Sequence, residues 1–130
     1  MTVNTLGGAV IFVKYLERAT AFYRDTMALT VTHADDDFAV LENAGTHLVL
    51  HAIPAAIAAT FEIADPPVAR EDTAIKPFFF VDDIAATRAA AKAHGGRFAP
   101  AAKEWEARGF RACDGIDPEG NVLQVRTLVR

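Results

Sequence analysis

AVIFVKYLERATA, residues 9–21, and PFFFVDDIAATRA, residues 77–89, stand 68 positions apart and describe the same thing. Each begins with an apolar run too short for a helix and passes at once into helical spacing. Set one above the other, Phe12 meets Phe80, Val13 meets Val81, Leu16 meets Ile84 and Ala21 meets Ala89. The identities are few. What repeats more firmly is the order of elements around them.

In the first half, Gly8–Val13 reads as a strand, and apolar positions 16, 19, 22, 23 and 27 form a helical stripe. LTVTHA (29–34), FAVLE (38–42) and THLVLHAI (46–53) follow as strands, punctuated by DDD (35–37) and NAG (43–45). In the second half KPFFFV (76–81) is a strand, and Asp83 caps a helix over 84–94 that stops at Gly95-Gly96. RFA (97–99) is a short strand, and an irregular segment carries Lys103, Glu104, Trp105 and Glu106. GFRACDGI (109–116) and NVLQVRTL (121–128) are strands joined by the tight turn DPEG. The expected fold is α+β: one domain over 1–130, built from two tandem β-α-β-β-β modules at about 7–53 and 75–128. An Ala/Pro-rich connector over 54–74 joins them. A module of this kind covers one sheet face with its helix and leaves the other bare. Two of them would form a curved mixed sheet around a cleft, helices outside.

Bulk composition narrows the function. The chain has 130 residues, 52% of them hydrophobic, and a net charge of −4. No basic excess marks a nucleic-acid or anionic-membrane binder, so neither partner is expected. One cysteine, Cys113, forms neither an intramolecular disulfide nor a cysteine-built zinc site. MTVNTLGGAVIF lacks the basic and long apolar regions of a signal peptide, and no apolar run approaches the length of a membrane span. The expected location is cytoplasmic.

The pattern resembles the vicinal oxygen chelate superfamily, which holds glyoxalase I, extradiol dioxygenases, fosfomycin-modifying enzymes and bleomycin-resistance proteins. VKYLERATAFYRD (13–25), the hydrophobic strand with VDDI (78–84), and DPEGN (117–121) before the last strand carry the likeness. DDFAVLE (36–42) and EARGFRACDGIDPEGN (106–121) are similar to the metal-free, drug-binding branch. Two departures stand out. Tyr15 occupies the place of an acidic helix cap, and Ala28 the place of a helix-ending glycine.

The resemblance implies four inward positions where metal-using members hold their ligands: Gly8, Val49, Lys76 and Gln124. Glycine and valine offer no donor, lysine is a cation at neutral pH, and one glutamine carbonyl is weak. No metal or other cofactor is therefore expected. His47 and His51, four apart on one strand, would be about 13 Å apart and could not chelate one ion together.

If position 8 faces the cleft, alternation brings Phe12, Lys76, Phe78, Phe80, His47, Val49, His51, Gln124 and Arg126 to the same face. Trp105 would overhang them, and Arg111 is a further wall candidate. The plainer alternative is that the Phe78–Phe80 run only fills core and Arg126 reaches solvent. The walls carry Lys, Arg and His while acids cluster at Asp35–Asp37, so a neutral or anionic, partly aromatic ligand is expected over cationic bleomycin. The resulting expectation is a metal-independent small-molecule binding protein, an antibiotic or metabolite sequestrant acting as a homodimer. The alternative is a lyase, isomerase or dioxygenase of the same superfamily with an atypical site, including a metal-free one with His or Lys as base.

Overall fold

The computed structural model describes residues 7–129; part of the N-terminal stretch read for a signal peptide lies outside them. The first sheet takes β1 (Ala9–Val13), β2 (Thr30–Ala34), β3 (Phe38–Asn43) and β4 (Thr46–Ala52) in the order β1-β4-β3-β2. The second takes β5 (Phe78–Phe80), β6 (Arg97–Phe98), β7 (Trp105–Ala107), β8 (Phe110–Ile116) and β9 (Val122–Leu128). Its order is β5-β9-β8-β6, with β7 also paired to β8. In each sheet the first strand runs parallel to the last and the other pairings are antiparallel. Topologically the halves are copies. Among the described residues no strand pairing joins them, so the expected curved sheet is two sheets.

The fourth place of the second sheet is split. Arg97 and Phe98 pair with Ile116 and Gly115, whereas Trp105–Ala107 pair with the other end of β8. Pro100 and a 3-10 turn at Ala101–Lys103 lift the chain away between them. The irregular segment around Trp105 is thus an edge strand.

Helix α1 (Leu16–Thr26) buries Ala19, Phe22 and Tyr23. Helix α3 (Ile84–Ala93) starts on the Asp83 carboxylate, which accepts from the Ala86 amide at 3.1 Å. Between them, α2 (Ala55–Ala58) is one turn within the connector. α1 and α3 pack together and close a single apolar interior with the helix-facing residues of both sheets. Tyr23 of α1 meets Phe79 of β5 at 6.0 Å between ring centroids.

DPEGN is more than a hairpin turn. Asp117 is fully buried and accepts from the Glu119 and Asn121 amides, the Asn121 side chain and the Tyr23 hydroxyl at 2.7–3.0 Å. Glu119 reaches the first module, where its carboxylate accepts the amides of Lys14 and Tyr15 at 2.7 and 2.8 Å. The acid missing at Tyr15 is therefore supplied by the other half, at the positive end of α1. Gly120 has φ of 82°, and a Cβ there would run into the Val68 carbonyl, so only glycine lets the connector pass.

Candidate functional site

Strand parity decides what faces away from the helices. Val10, Phe12, Phe78 and Phe80 are 57, 55, 46 and 53% exposed, while Val13 next to Phe12, and Phe79 between Phe78 and Phe80, are buried. Both open sheet faces therefore present aromatic rings, and neither is covered by the other module. They form two floors.

On the first floor, rings line up across all four strands. Phe12 lies 5.3 Å from His51, His51 6.2 Å from Phe38, and Phe38 4.6 Å from His33. His33 is fixed by Asp35 at 2.7 Å, and the Phe38 amide first, then His33 and the Asp37 amide, hold that carboxyl at a pKa of about 2. His47 meets Glu42 at 2.9 Å; Glu42 also accepts from the Thr32 hydroxyl, and both contacts lower its pKa. Val49 sits between the two histidines, paired with Val10 and Val40.

The second floor is organised by a chain of contacts. Lys76 Nζ lies 3.2 Å from Asp114 Oδ1, which also accepts from the Gln124 amide nitrogen at 2.9 Å. The Gln124 carbonyl oxygen in turn accepts from Arg126 Nε at 2.6 Å. The Arg126 guanidinium carbon lies 3.8 Å from the Phe78 ring centroid and 4.2 Å from that of Phe110. Trp105 shares this face, since it pairs with Ala112 and Ala112 pairs with Arg126, and it meets Phe110 edge-on at 5.8 Å. The Lys76–Asp114 end opens into a cavity of about 590 Å³ whose walls include Lys103, Arg97 and Val122. A second cavity, about 410 Å³, runs between the modules past Gly8, His47, Lys76 and Phe78.

Of the expected residues, Lys76, Phe78, Phe80, Trp105, Gln124 and Arg126 stand on the second floor, and Phe12, His47, Val49 and His51 on the first. Arg111 stands on neither. It is opposite Thr127, one residue out of phase with the Ala112–Arg126 pair, and it binds Glu104 and Glu106 on the helix side. There Glu104 also meets Arg88 of α3, and these two hydrogen bonds lower its pKa. Two carboxylates, Glu42 and Asp114, occupy faces where only bases were expected, each tied to a base. Phe110 and Asp114 join the second floor beyond the expected residues, and the hairpin register gives both. Counting outward from the turn places 114 opposite 124, 112 opposite 126 and 110 opposite 128.

The residues present do not fit the superfamily's divalent metal. A Cβ at Gly8 would overlap the His47 carbonyl, so no ligating side chain can stand there on this backbone. Val49 has no donor. Lys76 is a cation paired with Asp114, and both ends of the Gln124 amide are taken, with the residue 3% exposed. Among the described residues no three His, Cys, Asp or Glu side chains cluster around a point that could hold a metal ion.

The model of the Glyoxalase/Bleomycin resistance protein/Dioxygenase superfamily matches residues 5–125. The chain belongs to that superfamily. Its fold is shared with a glyoxalase/bleomycin resistance protein/dioxygenase family enzyme from Burkholderia phytofirmans, with a TM-score of 0.69 at 19% identity over 96% of this chain and 99% of the other. The fosfomycin resistance protein FosX from Listeria monocytogenes gives 0.65 at 15% identity over 97% and 94% of the two chains. A glyoxalase/bleomycin resistance protein/dioxygenase from Alicyclobacillus acidocaldarius gives 0.64 at 17% identity over 98% and 93%. No curated protein sequence matches the chain. Identities this low carry the superfamily's architecture and no activity. Among the described residues, no helix is long and apolar enough to cross a membrane.

Proposed function

We propose that this member of the superfamily is a metal-independent small-molecule binding protein, nearer the drug-binding branch than the metal enzymes. Its ligand is neutral or anionic and partly aromatic. The observation that carries the reading is the use of Gln124. At a position where metal-using relatives place a ligand, its amide is spent on Asp114 and Arg126, beside exposed Phe78, Phe80 and Trp105. Flat apolar groups gain by covering those rings, and a few convergent polar groups orient them.

Purification without chelator followed by elemental analysis, then a thermal-shift panel with and without EDTA, tests the reading. We expect no stoichiometric metal and a melting temperature indifferent to EDTA. The panel includes aromatic acids, their amides, bleomycin, and fosfomycin because FosX is a structural neighbour. Aromatic acids or amides should raise the melting temperature by mass action, and bleomycin should not. Stoichiometric zinc, iron or manganese, or shifts confined to cationic glycopeptides, would reverse the assignment.

A further inference from the structure

We infer that Arg126 is the anion anchor of this floor, built to receive a planar oxyanion, in the first instance a carboxylate, edge-on. The inference rests on the reading of the second floor as the ligand surface and narrows the ligand class. The guanidinium lies over two rings from the strands flanking β9, Phe78 at 3.8 Å and Phe110 at 4.2 Å. Its Nε is committed to the Gln124 carbonyl. What remains is the outer edge, where the N–H groups of Nη1 and Nη2 have no hydrogen-bond or ion-pair partner among the described residues. A guanidinium offers its donors as a rigid planar fork that matches the two oxygens of a carboxylate.

The fork is held in place before any ligand arrives. Asp114 turns the Gln124 amide so that its nitrogen points at the carboxylate and its oxygen at Arg126. Gln124 is buried and cannot easily turn over, so Arg126 is fixed through Nε as well as by its two rings. Little side-chain entropy is left to lose on binding. Asp114 does not cancel the anchor, because Lys76 shares its carboxylate. Counting Lys76, Asp114 and Arg126, the floor keeps one positive charge. Exposed Phe80 and Trp105 lie on the same face for the aromatic body of an aryl carboxylate.

Isothermal titration of the full chain with 2-naphthoate and its neutral counterpart 2-naphthamide tests this. The indole resonance of Trp105, the only tryptophan, reports where the probes bind. The carboxylate should bind the wild type about tenfold or more tightly than the amide. Arg126→Gln should abolish that preference. Arg126→Lys, which keeps the charge but loses the fork, should restore only part of it. Gln124→Leu, which frees the guanidinium, should weaken the acid severalfold more than the amide. Equal binding of the two probes by the wild type, or a preference that survives Arg126→Gln, overturns the anchor and leaves the ligand floor standing. Failure of both probes to bind or to move the Trp105 resonance overturns anchor and floor together.

Discussion

Ala28 closes the last turn of α1 with φ of 53°, a conformation glycine adopts freely and alanine does not. The bond from the Leu29 amide to the Arg24 carbonyl is the one that normally accompanies a glycine at this place. Ala28→Gly should therefore stabilise the protein by about 1 kcal/mol, raising the melting temperature by about 2–6 °C in a calorimetric scan. A fall would mean that the alanine methyl makes packing worth more than its strain. This oddity was legible in the sequence, because a helix-ending position announces its backbone requirement locally. The floor around Arg126 was legible only in part. Alternation alone places 76, 78, 80, 124 and 126 together, but preferring Asp114 to Arg111 needed the hairpin register as well as the residue type. What Gln124 does there depends on which of several polar neighbours its amide faces, a matter of three-dimensional contact.

At the scale of elements, α1 is capped by a residue more than a hundred positions away. Glu119 satisfies the Lys14 and Tyr15 amides from a buried position and lies at the positive end of the helix. Glu119→Ala should cost about 2–3 kcal/mol in chemical denaturation, since two amides lose their acceptor, and Glu119→Gln, which keeps one acceptor oxygen, should cost less. Equal costs for the two would remove the capping role. The absence of an acid at Tyr15 is plain from the sequence; its replacement is not, because nothing local couples residue 15 to residue 119. The missed strand β7 has a different cause. Three residues, Trp105–Ala107, are too few for alternation to register, and the 3-10 turn after Pro100 hides their alignment with β6.

Across the whole molecule, Tyr23 and Asp117 join the modules through one hydrogen bond in a fully buried setting. Burial first, then the Asp117 carboxylate, holds the phenol proton to higher pH than usual. In the unfolded chain the same group ionises near pH ~10. Above that pH the unfolded state releases a proton the native state keeps, so stability falls as pH rises. Tyr23→Phe should cost about 1–3 kcal/mol at neutral pH, because Asp117 loses a buried donor. That cost should shrink in urea titrations repeated above pH ~10. A difference that does not change with pH would show that Tyr23 ionises alike in the folded and unfolded states.

The β8–β9 hairpin has two duties on one short length of chain. Its tip fastens the second module to α1, and its arms carry Asp114, Gln124 and Arg126. A guest held by those arms should be held less firmly once the tip is unseated. Occupancy would then be linked to the union of the halves, and a bound guest should make their parting rarer by up to its own saturation factor. A protease attacking the 54–74 crossing during such partings would then keep time with ligand concentration.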